Sequence, residues 1–274
     1  MITLRSLITA IVLLLHWASS AAAKSTPPPF PKGLSKCGYG IASDIFSGDR
    51  FRLKDGTSVS LADIKAPEFW PEGAPYKSWP YGQIAKQALT KAIGSEPLQM
   101  FCKSKRKNHL GDIVAHIKTT QGSWLQYEMV QNGHAYFMPR YQRPSDEGAL
   151  RNAETTAQQN KKGLWAIQGF NVIPASSPDI RPGWFQVISG LVISEKRHKS
   201  RTFLNFGTDW SKDFTIEIPS RLYRQFAYRS DTSLGLQGKH IEVRGWVEWS
   251  GGPKIILEDA AQLYTYSPEP DQSR

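Results

Sequence analysis

A segment rich in proline and glycine, GFNVIPASSPDIRPG at residues 169–183, divides the chain into two parts with different sequence patterns. Backbone that carries several prolines does not continue a helix or a central strand, so regular structure must be interrupted here. We predict a linker at 169–183 between a first domain at 38–168 and a second domain at 184–266. A proline-rich tether at 24–37 and a polar tail at 267–274 flank them.

An apolar run near the N-terminus has the layout of a signal peptide. Arg5 precedes the apolar residues 7–15, and small residues follow up to Ala23. The run is shorter than the roughly 20 residues that a membrane-spanning helix needs. We therefore predict a signal peptide at residues 1–23 and an exported protein, periplasmic or secreted, with no integral membrane segment after cleavage. An uncleaved N-terminal anchor is the alternative.

The chain is basic, with a formal net charge of +10 at pH 7. Residues 1–23 contain Arg5 and no acidic residue, so the remainder carries +9. A positive surplus of this size favours nucleic acid or another anionic polymer as a partner. The alternative is a charge that serves solubility alone, and protein partners stay unknown.

Residues 38–168 alternate between strand-like and helical patterns. Apolar alternation occurs on both sides of the turn at residues 54–56, and again at 98–103 and 113–119. Helical spacing predicts three helices, each closed by a glycine, at residues 81–94, 123–132 and 144–162. This order predicts an α+β domain with a small barrel.

The sequence pattern of residues 184–266 predicts three strands, a helix and then two strands, which is the order of a mostly-β barrel of the OB type. Such barrels bind single strands by stacking bases on aromatic side chains. The candidates for stacking are Phe203, Phe206, Trp210 and Trp246, and the alternative is that these rings belong to the core. Trp210, in a polar loop, is the foremost candidate.

Four short motifs follow one another in the first domain: Gly48-Asp49, Ala66-Pro67-Glu68, Gly133-His134-Ala135 and Lys162-Gly163-Leu164-Trp165. In this order and spacing they resemble the thermonuclease, or staphylococcal-nuclease-like, family over residues 40–166. LNFGTDWSKDFTIEI in the second domain resembles the C-terminal module of two-domain proteobacterial members. The resemblance implies a five-stranded OB-type barrel with three helices, and calcium-dependent cleavage of DNA and RNA.

The resemblance also assigns site residues. The family's chemistry needs a hard cation, a carboxylate that activates water, and two arginines that neutralise charge on phosphorus. Asp49 falls at a metal position and Glu68 at the position of the base. The second metal aspartate is replaced by Lys65, and the two phosphate arginines are replaced by Ser60 and Asp112.

These replacements predict a degenerate nuclease site, with calcium bound only if activity survives. The alternative for Asp49 and Glu68 is a turn aspartate and a carboxylate that pairs with Lys65. Strand alternation places Arg50 on the face opposite Asp49, where it cannot replace the lost arginines.

A basic run beside the expected substrate surface gives four candidates for nucleic-acid binding, Lys103, Lys105, Arg106 and Lys107, and Tyr141 is a fifth. The run predicts an electrostatic track for a phosphate backbone, and the alternative is a solvated loop. Three functions remain open: a nucleic-acid-binding protein with a degenerate site, a weak or rewired calcium-dependent nuclease, and an envelope scaffold that binds proteins.

The chain has two cysteines, Cys37 and Cys102. The resemblance places them in neighbouring strands of the first barrel, and export supplies an oxidising compartment, so we predict a disulfide between them. The alternative is two buried free thiols.

Overall fold

A computed structural model describes residues 28–70, 72, 79–103, 107–139, 147–209, 211–226 and 233–266. Several predicted features lie outside these residues: the signal peptide at 1–23, Lys105, Arg106, Tyr141, Trp210 and the tail at 267–274. Among the helices of the described ranges, none is both long and apolar enough to cross a membrane.

The described residues of the first half form eight strands and three α-helices. The strands are β1 Ser35–Gly40, β2 Ala42–Ser47, β3 Arg50–Leu53, β4 Ser58–Leu61, β5 Ile64–Lys65, β6 Leu98–Cys102, β7 Ile113–Lys118 and β8 Tyr136–Phe137, and the helices are α1 Gly82–Ile93, α2 Leu125–Gln131 and α3 Glu147–Gln159. Six strands form a sheet in the order β1-β6-β7-β4-β3-β2, and β5 pairs with β8 separately. Only β4 and β7 run parallel within the described pairs of that sheet.

The helices lie where the apolar periodicity predicts them, and α1 shows why. Ala85, Leu89 and Ile93 recur at helical spacing, are buried, and pack in the core of the first half. Gly94 ends the helix with a φ of 62°, a backbone conformation that favours glycine. The predicted α+β class is therefore confirmed for this half.

The two edges of the curled sheet in the first half belong to one extended segment. Its edge strands, β1 and β2, are separated only by Ile41, and the segment pairs with β6 at its beginning and with β3 at its end. Counted once, this segment leaves five strands, the number that the resemblance implied; among the described residues no ladder joins β1 to β2 directly, and closure of the barrel stays a prediction.

The predicted tether at 24–37 is shorter than expected, because its C-terminal part is folded. The Phe30 ring lies 4.9 Å from the Phe101 ring, and β1 already begins at Ser35. A disulfide joins Cys37 in β1 to Cys102 in β6, with a Cα–Cα distance of 5.7 Å.

The second half is mostly β. Its strands are β9 Ile173–Pro174, β10 Phe185–Leu191, β11 Ser194–His198, β12 Arg201–Asn205, β13 Thr215–Pro219, β14 His240–Trp249, β15 Pro253–Ile256 and β16 Leu263–Tyr266. They form one sheet in the order β11-β12-β13-β15-β14-β10-β9, and β16 also pairs with β14. The predicted helix after β13 is a 3₁₀-helix of six residues, Ser220–Gln225.

The two halves share one strand connectivity although their sequences show no repeat. Strands β10, β11, β12, β13, β14 and β15 are joined in the same order as β1, β2, β3, β4, β6 and β7. The parallel pair β13–β15 also corresponds to the parallel pair β4–β7. This common arrangement explains why the sequence predicts the same OB-type order for both halves. Among the described strands of the second sheet there is also no ladder that closes it.

The predicted linker at 169–183 is folded, because the two halves share an aromatic core. Phe170 of this segment is buried in that core, and β9, which also lies in the segment, pairs with β10. Tyr136 and Trp165 of the first half pack in the same cluster as Phe185 of the second half.

A buried ion pair also joins the halves. Arg244 of β14 donates to Glu154 of α3 across 2.9 Å and hydrogen-bonds the carbonyl oxygen of Phe137 in β8. Both charged side chains are at most 3% exposed. Burial raises the pKa of the Glu154 carboxyl, although the neighbouring Arg244 opposes this shift.

Candidate functional site

Four of the candidate site residues of the first half meet in one cavity of about 610 Å³. Strands β2 to β5 form its floor, and the loop before β7 forms one side. Trp246 of the second half also lines the cavity, so both halves contribute to it. The cavity walls include Asp49, Ser60, Lys65 and Glu68.

Lys65 lies between the two carboxylates that the resemblance assigns to metal and base. Its ammonium nitrogen is 3.7 Å from Oδ2 of Asp49 and makes a short hydrogen bond to Oε1 of Glu68. The Lys65 side chain is only 12% exposed, so this contact is largely shielded from water. The ammonium thus holds both carboxylates together.

The backbone around Lys65 fixes its position. Lys65 ends β5 and pairs with Tyr136 in β8. Glu68 follows three residues later, and its carbonyl oxygen accepts a hydrogen bond from the Trp79 amide at 2.9 Å. Lys65 and Glu68 are three positions apart in the sequence, so their side chains can meet without a contact from a distant part of the chain.

Asp49 has partners for both carboxylate oxygens. Oδ1 accepts a hydrogen bond from the Ser47 hydroxyl at 2.6 Å, and Oδ2 accepts one from the Ala66 amide at 3.0 Å. These bonds fix Asp49 across the turn between β2 and β3, facing the segment that carries Lys65.

Arg50 and Asp112 form a second charged pair in the cavity wall. Nε and Nη2 of Arg50 donate to the two oxygens of Asp112 at 2.7 and 2.9 Å. Ser60 donates its hydroxyl to Asp112 at 2.7 Å. The resemblance implies arginines at positions 60 and 112. Here Asp112 instead binds the guanidinium of Arg50, and Ser60 bonds the same Asp112 carboxylate.

The prediction that Arg50 lies opposite Asp49 is wrong. Asp49 belongs to the turn before β3, so the alternation of an extended strand does not relate it to Arg50. Arg50 lines the same cavity, and the nearby Asp49 and Glu68 carboxylates contribute to raising its pKa after the larger effect of the Asp112 hydrogen bond.

Two opposing effects act on the pKa of Asp112. Burial acts to raise this pKa, but hydrogen bonds from Arg50 and Ser60 outweigh burial and lower it. Asn108 supports the loop, because its Oδ1 accepts the Asp112 amide at 2.9 Å and its Nδ2 donates to Ser60 at 3.2 Å. Sequence reasoning missed Asn108, whose signal was its place in a turn before a glycine.

The donors in this cavity do not fit a hard divalent cation. Such ions need several free oxygen ligands, and here the ammonium of Lys65 lies where the carboxylates of Asp49 and Glu68 converge. No group of three or more acidic, histidine or cysteine side chains within the described ranges is arranged to hold a metal ion.

The other candidates are partly described. Lys107 forms a β-bridge with Ile113 next to the cavity loop, and Lys103 follows β6. In the second half, Phe203 is half-buried, while Phe206 packs against the core. Trp246 is 39% exposed and lies at the cavity of the first half, which its sequence position alone could not indicate.

Comparisons with known proteins agree with the motifs. The profile of the family described as "Staphylococcal nuclease homologue" matches residues 58–167. "Probable staphylococcal-like nuclease CAN1" of Oryza sativa subsp. japonica is 33% identical over 96 residues, which cover 34% of this chain and 26% of that protein. "Endonuclease YhcR" of Bacillus subtilis (strain 168) is 24% identical over 136 residues, which cover 46% of this chain and 11% of that protein.

The chain thus spans about a quarter or less of the length of these two relatives. The matched range contains Ser60, Lys65, Glu68 and Asp112 but begins after Asp49.

Proposed function

We propose that the cavity binds a nucleic-acid backbone or a similar anionic polymer without cutting it. The premise is that residues 58–167 form a domain of the staphylococcal nuclease family with distant nuclease relatives. The observation that carries this proposal is the position of the Lys65 ammonium between Asp49 and Glu68.

The contact between Lys65 and Glu68 works against hydrolysis. A general base must reach the attacking water, and here the Lys65 ammonium occupies Oε1 of Glu68. The ammonium also carries one charge and offers no open coordination position, so it cannot replace a divalent ion as a Lewis acid. The guanidinium of Arg50, which lines the cavity, is bound to Asp112.

Binding is favoured by the cations that remain. Arg50 keeps 31% of its side chain exposed at the cavity and uses two of its nitrogens for Asp112. Lys107 lies beside the cavity loop, and the chain after residue 23 carries a formal charge of +9. Cations at a groove attract a phosphate backbone and give binding that weakens with salt.

A rewired nuclease is the second candidate, and Arg50 is the observation that favours it. Arg50 brings a guanidinium into the same cavity as Glu68, although from a different position in the sequence than the family's arginines. Calcium would then be bound only in an arrangement that displaces Lys65. An envelope scaffold remains as a third function. Export belongs to the proposal, and the disulfide is consistent with an oxidising compartment.

One purified sample separates binding from cutting. Gel shifts with single-stranded DNA measure binding, and plasmid digestion with calcium or with a chelator measures hydrolysis, each compared with Glu68→Gln. We expect a gel shift that weakens steeply with salt, with each neutralised phosphate adding about 0.7–0.9 to the slope. We expect no calcium-stimulated digestion above that of Glu68→Gln.

Two outcomes contradict the proposal. Calcium-dependent turnover that Glu68→Gln abolishes establishes the rewired nuclease instead. No binding at low salt removes both nucleic-acid functions and leaves the scaffold. Neutral substitutions at Lys103 and Lys107 test whether these residues bind the phosphate backbone. They reduce the salt dependence of the binding affinity only if these residues contact phosphate.

A further inference from the structure

Trp246 brings an aromatic surface from the second half into the cavity of the first half. It lies in β14, lines the cavity together with Lys65 and Glu68, and is 39% exposed. Trp246 thus leaves part of a large aromatic ring accessible from the cavity, which is a surface on which a flat ligand can stack.

Neighbouring rings hold Trp246 in place. Its ring meets Trp79 edge-on with a centroid distance of 5.3 Å, and meets Phe185 edge-on at 6.2 Å. Trp246 and Phe185 are also register partners in β14 and β10. The exposed part of the ring is thus preorganised, so a ligand that stacks on it pays little to order the side chain.

The ring lies next to the charged part of the cavity. The Lys65 ammonium lies over the Trp246 ring, 5.8 Å from its centroid, and is 3.7 Å from Oδ2 of Asp49. In a nucleic acid the base is joined to its phosphate through the sugar. The lining of the same cavity also includes the cationic side chains of Arg50 and Lys86, so an aromatic surface and cations stand together as one nucleotide needs.

We propose that Trp246 stacks a base of the bound strand, so that the cavity takes single-stranded nucleic acid in preference to a duplex. This inference rests on the proposed binding function and adds the ligand class. A paired base in a duplex is stacked on its neighbours and does not offer its face to a protein ring, whereas an unpaired base does.

Fluorescence anisotropy of the full chain at low salt tests the proposal. The probes are a labelled oligothymidylate, an abasic strand with the same number of phosphates, and a duplex. Base stacking gives wild type an affinity for oligothymidylate about 5- to 100-fold higher than for the abasic strand. Trp246→Leu brings this ratio close to one, and Trp246→Phe keeps most of it.

Trp249→Leu is the matched control, because Trp249 lies in the same strand, is 65% exposed and does not line this cavity. We expect it to keep the wild-type ratio. A merely structural role for Trp246 weakens binding of both strands alike and overturns the inference, as does a Trp246→Leu variant with the wild-type ratio. If wild type binds neither strand, the proposed function itself fails.

Discussion

Asp112 is a fully buried carboxylate whose charge depends on Arg50. Its pKa in the folded chain lies below the ordinary value of 3.8, so the unfolded chain binds protons first as the solution becomes acidic. The ion pair therefore stabilises the fold at pH values above 3.8, and this contribution is lost as the pH falls towards the folded pKa.

Asp112→Asn should accordingly lower the free energy of unfolding at neutral pH by about 1.5–3 kcal/mol, because the bonds from Arg50 and Ser60 lose their charged acceptor. The difference from wild type should shrink in strong acid. Urea denaturation at several pH values measures it. Asp44→Asn, which changes an exposed carboxylate, is the control and should have little effect. An equal loss at all pH values contradicts the assigned charge.

Substitutions meant to give calcium-dependent nuclease activity must take account of Lys65 and Arg50. Ser60→Arg, Lys65→Asp and Asp112→Arg restore the family's residue types, but the new arginine at 112 would face Arg50. We therefore add Arg50→Thr. Each missing arginine or preorganised contact costs about 10²–10⁵ in rate, so this quadruple variant should show more calcium-dependent plasmid digestion than wild type. The same variant with Glu68→Gln is the control, and digestion that persists in it contradicts the role of Glu68.

The disulfide acts on two elements, since it joins the edge strand β1 to β6. It closes a loop with a sequence separation of 65 residues. The chain-entropy account gives on the order of 4 kcal/mol for such a loop, as an upper value. Replacing Cys37 and Cys102 by serine should lower the free energy of unfolding by about 2–4 kcal/mol.

Urea denaturation with and without reductant checks this expectation. The reductant should weaken wild type to the level of the double serine variant and leave that variant unchanged. Alkylation of both cysteines in the denatured, non-reduced exported protein would show that the bond does not form.

Helix α1 and the Glu68 segment touch at a glycine. A Cβ atom at Gly82 would lie 2.1 Å from the Glu68 carbonyl oxygen, whereas a Cβ atom at Gly148 in α3 would meet nothing within 4 Å. Gly82→Ala should therefore cost about 1–3 kcal/mol and displace Glu68, and Gly148→Ala should gain about 0.5–1 kcal/mol. Thermal unfolding of the two variants measures the opposite signs, and a neutral Gly82→Ala contradicts the close approach.

The elements also show which features a sequence can predict. Helices α1 and α2 and the strands β6, β7 and β14 follow from local periodicity, as does the Lys65–Glu68 contact from a spacing of three residues. Arg50 was misplaced because a turn interrupts strand alternation, and Trp246 joins the cavity through a contact between distant parts of the chain. The likeness of the second half to the C-terminal module of two-domain members stays a prediction.

At the scale of the whole molecule, the two halves depend on each other through charge as well as packing. Glu154 accepts a hydrogen bond from the Phe137 amide at 2.8 Å, and Arg244 bonds the carbonyl oxygen of the same residue. Phe137 lies in β8, which pairs with the strand that carries Lys65. A contact made by the second half thus supports the backbone of the cavity, so the two halves should unfold in one transition.

The ion pair of Arg244 and Glu154 should contribute to the stability of both halves. Arg244→Met leaves Glu154 buried without its charged partner and should cost about 3–5 kcal/mol, whereas Arg244→Met combined with Glu154→Leu should cost less than the two single changes together. The matched control is Arg201→Met: Arg201 is 56% exposed, and its buried partner Glu217 keeps the ammonium of Lys254 at 3.0 Å, so the cost should stay below about 1 kcal/mol. Urea denaturation followed by tryptophan fluorescence and circular dichroism measures these values. Two separate transitions in wild type, or additive costs in the double variant, would contradict a shared core that is held by a coupled buried pair.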